Sequence, residues 1–121
     1  MPKYIDGFVI PIAKKKVEAY RKMAKLGAKM WMKYGALEYR ECIGEDLNAP
    51  MGLSFPKGIQ LKPGETVVFS WIVFKSRAHR DKVNAKVMSD PSMGTFEEAD
   101  MPFDVTRMLY GGFEVLVEAV P

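Results

Sequence analysis

A chain of 121 residues, 48% hydrophobic and 27% charged, is sized for one folded domain (residues 1–121) and is not a disordered polymer. It has no apolar run long enough to span a bilayer and no charged-then-apolar leader, and a lone Cys42 excludes an internal disulfide, so the expected setting is a reducing cytoplasm. The formal charge of +3 is small but uneven: residues 1–60 carry eleven Lys/Arg against six Asp/Glu, and residues 61–121 carry seven against nine.

Tyr4–Ile12 reads as a first strand, with Pro11 near its end. Residues 13–34 read as a helix, because Val17, Tyr20, Ala24, Gly27, Trp31 and Tyr34 recur at three- and four-residue steps. Its lysines fall largely on the other side, and Gly35 suits the position just past its C-terminus. Leu37–Ile43 alternates and reads as a second strand. The segment from Gly44 to Gly64 is irregular, with a short extra strand expected within Leu53–Leu61. Thr66–Phe74 is apolar in both registers, as expected of a central strand covered on both faces. Ser76 is a suitable N-cap for a second helix running to about Met88. Residues 91–106 read as a loop with an acidic cluster. Met108–Glu118 reads as the last strand, and its Gly111-Gly112 pair predicts a bulge or a close backbone approach.

Strand, helix, strand, strand, helix, strand is the split βαβ order of a ferredoxin-like α+β fold, with an antiparallel sheet and both helices on one face. Gly7 and Gly27 are expected where a helix lies close to the sheet, which turns Ile5, Gly7 and Val9 toward the helices. Tyr4, Asp6, Phe8 and Ile10 then join Tyr110, Gly112, Glu114 and Leu116 on the open face. One register of the central strand shares that face, either Val67-Phe69-Trp71-Val73 or Val68-Ser70-Ile72-Phe74. Each large apolar side chain is worth about 1.5–3 kcal/mol when buried, so such a face needs a cover. A second copy is the simplest one, and a symmetric homodimer is expected.

Several segments together resemble one family. They are Tyr4-Ile5-Asp6-Gly7-Phe8-Val9, Gly35-Ala36-Leu37-Glu38, Val68-Phe69-Ser70-Trp71-Ile72 and Ser76-Arg77-Ala78-His79-Arg80-Asp81. Met88-Ser89-Asp90-Pro91, Met101-Pro102-Phe103-Asp104 and Arg107-Met108-Leu109-Tyr110-Gly111-Gly112-Phe113-Glu114 complete the match. In this the chain resembles the YbaA-like family of small bacterial proteins of unknown function. The resemblance implies a ferredoxin-like fold of the dimeric α/β-barrel type and no established activity.

Asp6 is the odd residue of its strand, and a carboxylate on a covered sheet face must be paired, hydrated or protonated. With Glu41, Trp71, Arg107 and Tyr110 it defines an expected pocket at the dimer seam. There Asp6 is base or anchor, Trp71 and Tyr110 form a wall, and Arg107 holds an anionic group. Pairing of Asp6 with Arg107, Arg40 or a backbone donor at the dimer seam is the plainer alternative. Lys14, Lys15 and Lys16 at the helix start form a candidate anion site, against a plain solvated helix start. His79 reads as a capping or surface residue, and Cys42 as a strand thiol without a nucleophile signature. One His and one Cys do not make a zinc site, and Asp90, Glu97, Glu98, Asp100 and Asp104 lack EF-hand spacing, so neither metal nor cofactor is expected.

The leading functional reading is binding, or cofactor-free conversion, of a small organic molecule. The alternative is a non-catalytic interaction module acting through the basic helix 13–34. RNA binding is the third and least favoured reading, because no strand carries the basic-glycine-aromatic signature of that class.

Overall fold

The backbone pairs four antiparallel strands in the order β2-β3-β1-β4 in a computed structural model that describes residues 1–94, 97 and 100–121. The elements are β1 (Tyr4–Ala13), α1 (Val17–Lys33), β2 (Glu38–Ile43), α2 (Phe55–Gly58), β3 (Glu65–Phe74), α3 (Arg77–Ser89) and β4 (Leu109–Glu114). This is the expected ferredoxin-like architecture. β3, apolar in both registers, lies between β1 and β2.

Local signals set most boundaries. Lys14–Lys16 form a 3-10 turn instead of helix, with no side-chain cap, so α1 begins at Val17. Gly35, at φ +107°, closes α1, and the Ala36 N–H returns to the Trp31 carbonyl. Ser76 caps α3 by accepting from the His79 N–H at 3.1 Å, while His79 Nδ1 accepts from the Lys75 N–H at 3.0 Å. The extra strand expected within 53–61 is instead the short helix α2, because Ser54 caps it and Pro56 sits in its first turn.

The two faces of the sheet are inverted relative to the sequence-based expectation. Tyr4, Asp6, Ile10 and Ile12 are buried beneath the helices, together with Val68, Ser70, Ile72 and Phe74 of β3. Ile5, Gly7 and Val9 line the open face with Phe69 and Trp71, and with Leu109, Gly111 and Phe113 of β4. The reason lies in what the glycines accommodate. Gly7 and Gly111 are direct partners across β1 and β4, and the Phe113 ring lies over both. A Cβ at Gly7 would meet that ring at 3.3 Å. The close approach is therefore of an aromatic ring on the open face and not of a helix. The β1–β4 ladder runs unbroken from Tyr4↔Glu114 to Val9↔Leu109, so the Gly-Gly pair makes no bulge. Gly112 instead leaves room on the helix side for Tyr4.

The apolar interior is split between two clusters under the helices. Met30, Ile72, Phe74, Val83 and Val87 form one, between α1, α3 and the sheet. Ile10, Ile12, Tyr20, Ala24 and Val68 form the other, under the first half of α1. Residues 44–64 fold back over one end of the open face, where Phe55 packs edge-on against Phe69 with ring centroids 6.4 Å apart. β4 stops at Glu114 and does not reach Glu118. Its sheet neighbour β1 begins at Tyr4, and past Glu114 the Val115 N–H still donates to the Lys3 carbonyl at 2.9 Å.

Candidate functional site

A cavity of about 180 Å³ lies between the two core clusters, roofed by α1 and floored by the sheet. Its walls are mostly apolar: Phe8, Ile10, Met23, Ala24, Trp31, Ile72, Met93 and Phe103 among others. One acidic residue, Glu41, borders it. Glu41 sits on β2 beside Ser70 of β3, in the helix-facing register. Tyr20 of α1 donates its hydroxyl to Glu41 Oε1 at 2.6 Å, and Tyr39 of β2 donates to Oε2 at 2.6 Å. Each carboxylate oxygen therefore has one fixed donor.

The local sequence explains the arrangement. Tyr39 and Glu41 are two apart on a strand, so they point to the same face. Gly27 of α1 supplies the clearance, since a Cβ there would come within 2.8 Å of the Tyr39 hydroxyl. Burial pushes both phenols well above the ordinary tyrosine range, and the neighbouring Glu41 carboxylate adds to the shift. Both stay protonated and act only as donors to Glu41. On its outer side the same trio borders a second recess of about 300 Å³ between α1 and the edge of β2, lined also by Arg21, Lys25, Cys42 and Ile43.

Asp6 heads a separate polar cluster under α3. Its side chain is 2% exposed and meets Arg80 Nη1 at 2.7 Å. The Asn84 amide and the Tyr110 hydroxyl lie at 3.4 Å from its other oxygen. Arg80 also stacks over the Tyr4 ring, and Trp31 Nε1 donates to Asn84 Oδ1 at 2.9 Å. Burial pushes the Asp6 pKa upward, while Arg80 and the donors of Asn84 and Tyr110 pull against it. Asp6 does not line the cavity. It is tied to the cavity through Trp31, one of the walls, by way of Asn84.

With fold and site geometry in hand, comparison with known proteins gives a consistent picture. Residues 3–105 match the model of a family described as protein of unknown function (DUF1428). The chain belongs to this family. It is 43% identical over 116 residues to an uncharacterized protein YbaA of Escherichia coli K12, covering 96% of this chain and 98% of that one. The same identity and coverage hold for YbaA of Shigella flexneri. The sequence-level resemblance to YbaA-like proteins is thereby established. Among solved structures, a dimeric ferredoxin-like protein from an uncultured marine organism superposes with a TM-score of 0.58 at 13% identity, over 98% of this chain and 100% of that one. That likeness shows the fold.

In this DUF1428 member the five expected pocket residues do not meet at one site: Asp6 and Tyr110 come together under α3, Glu41 and Trp71 border the cavity, and Arg107 lies apart from both. Asp6, Glu41 and Tyr110 lie on the helix side and not at an open-face seam, and Tyr110 stacks on Phe8 with centroids 4.9 Å apart. Trp71 is across the sheet, where its indole N–H donates to Glu38 Oε2 at 2.6 Å. Arg107 offers no open hand to an anion: it grips Glu65 with two nitrogens at 2.7 and 2.9 Å and also donates to the Gln60 carbonyl. Asp6 is paired with an arginine, but that arginine is Arg80 beneath α3, and not Arg107 or Arg40 at an open-face seam. Lys14, Lys15 and Lys16 are all exposed, and the Lys14 N–H is bonded to the Gly64 carbonyl. His79 is a capping residue, as its position predicted.

Tyr20 and Ser70 carry no chemical signal in their sequence context. The signal was there for Tyr39, two residues before Glu41 on one strand face. Tyr20 joins only through the packing of α1. Glu98, of the acidic loop cluster, lies outside the described residues; among those described, no group of three or more His, Cys, Asp or Glu comes together as a metal site. No helix among the described residues is long and apolar enough to cross a membrane.

Proposed function

We propose that this protein binds a small, mostly apolar organic molecule bearing one hydrogen-bond donor, held in the cavity beneath α1 with Glu41 as its polar anchor. The observation that carries this reading is a single, doubly oriented carboxylate at the wall of an otherwise apolar space. Size sets the class of ligand: a cavity of about 150 Å³ admits benzene, so one ring with a short substituent suits the 180 Å³ here. A carboxylate offers roughly four lone-pair sites, and the two tyrosines take one on each oxygen. What remains can accept an N–H or O–H from a ligand. Because both oxygens are already held, Glu41 reads as an anchor that fixes orientation more than as a free base.

The same proposal includes a homodimer. The open face exposes Phe69, Leu109 and Phe113 next to Ile5, Val9 and Trp71, a continuous apolar strip at the middle of the sheet. A second copy of that strip, related by a two-fold axis, covers it without any other partner.

A thermal-shift and NMR screen of single-ring phenols, anilines and azoles tests the binding half. The expected result is a raised melting midpoint for a subset of donor-bearing rings, abolished in Ala24→Leu, which fills the cavity. An equal response from Ala24→Leu, or no response from any ring compound, would sink it. Sedimentation equilibrium tests the dimer half, and a monomer at all concentrations removes it.

A further inference from the structure

The strand pattern of the last segment outruns its sheet. Val115, Leu116, Val117 and Val120 continue the apolar character of β4, yet the ladder ends at Glu114, opposite the first residue of β1. Leu116 is 95% exposed, Val117 85% and Val120 71%. The root of this segment is nevertheless fixed. The Val115 N–H is bonded to the Lys3 carbonyl, and Glu118 pairs with Lys3 at 3.1 Å. Residues 115–120 form no strand here and bend at Leu116, but six residues drawn out as a strand would span roughly 20 Å. At the other edge of the sheet, β2 pairs only with β3, so the outward-turned backbone groups of alternate residues in Glu38–Ile43 have no ladder partner among the described residues. An unprotected edge of this kind is a ready template for another strand.

We propose that residues 115–120 of one copy add as a strand to the outer edge of β2 in a second copy, reciprocally, in a two-fold dimer. Three observations favour a second copy over an unrelated partner. Arm and acceptor edge belong to the same chain, they match in length, and the apolar open face lies between them, so one two-fold contact covers all three. The placement also has a consequence for the site. The recess beside the β2 edge, bordered by Tyr20, Arg21, Lys25, Glu41, Cys42 and Ile43, would gain a roof from the partner's arm. Each cavity is then completed on its outer side by the other copy. The inference rests on the dimer reading above and goes beyond it by assigning the arm and its acceptor.

Cys42, exposed on β2 and the only cysteine, makes the test direct. Leu116→Cys, Val117→Cys and Val120→Cys are made singly in the full chain and oxidised. A disulfide needs Cα atoms within about 7 Å, so it reports adjacency. The expected product is a covalent dimer in which peptide mass spectrometry joins Cys42 of one chain to the arm of the other, and which is lost on adding Cys42→Ser. Ending the chain at Glu114 should raise the dimer dissociation constant at least about tenfold with the circular dichroism spectrum unchanged. A dimer that yields only arm-to-arm or within-chain disulfides, or that is indifferent to the truncation, overturns the arm assignment and leaves the dimer standing. A protein that sediments as a monomer overturns both.

Discussion

The two faces of this one sheet solve burial in opposite ways. The helix face carries its charge indoors: Asp6 is paired with Arg80, and Glu41 takes two tyrosine hydroxyls. Every described buried side-chain polar atom there has a partner. The open face is apolar and bare, with Phe69, Leu109 and Phe113 exposed and Trp71 tethered to Glu38. A covered face can hold polar groups only if each is satisfied, because desolvation is costly. A face awaiting a partner needs none. On the proposed reading, ligand binding uses the first face and association the second.

The sharpest way to break this contrast is to orphan the buried carboxylate. Arg80→Met should cost about 3–5 kcal/mol in urea unfolding at neutral pH, as expected when one member of a buried pair is removed. Protonating Asp6 would remove the uncompensated charge, so the deficit should narrow on acidification; a loss below 1 kcal/mol at pH 7 would mean that Asp6 is not buried as charge. On the other face, Phe69→Ser with Phe113→Ser removes association instead of folding. Losing about 3 kcal/mol of apolar contact raises a dissociation constant by about 150-fold. The melting midpoint should then no longer depend on protein concentration.

Smaller changes sharpen the picture. Tyr39→Phe leaves Glu41 with one donor, and it should cost about 1–2 kcal/mol and weaken binding of any donor-bearing ring found in the screen. Tyr20→Phe should do the same, and additivity of the two would show that the trio is not a unit. The smallest effect is expected at the end of the sheet. The hydrogen bonds from Arg107 hold the Glu65 pKa at about 2, below its ordinary 4.5. A folded pKa below the unfolded one means that the pair stabilises above pH 4.5 and that this is lost as pH falls toward 2. Glu65→Gln should flatten that part of the acid-unfolding curve, and an unchanged slope would show that the pair contributes nothing to acid stability.

Much of the fold was legible from pattern alone. β3 announced itself as interior by apolar residues in both registers, and α3 by Ser76 ahead of it. α1 was overdrawn at its start because three lysines with no cap do not begin a helix. The last strand was overdrawn at its end because strand character is a property of residues, whereas a ladder needs a neighbour, and β1 gives out at Tyr4. The site was less legible. Glu41 and Asp6 stood out as carboxylates on apolar strands, but Tyr20 and Arg80 reach them from helices distant in sequence.

Alternation along each strand determined which residues share a face, since side chains on a strand alternate with a period of two. It determined the β-α-β-β-α-β order and hence the fold class. It did not determine which of the two faces the helices cover. That choice is made by the crossover of α1 and α3 over the sheet, a non-local matter of handedness that strand parity does not contain. Gly7 illustrates the gap. The sequence shows a missing side chain, and only the tertiary structure shows that the space belongs to Phe113 of a neighbouring strand and not to a helix.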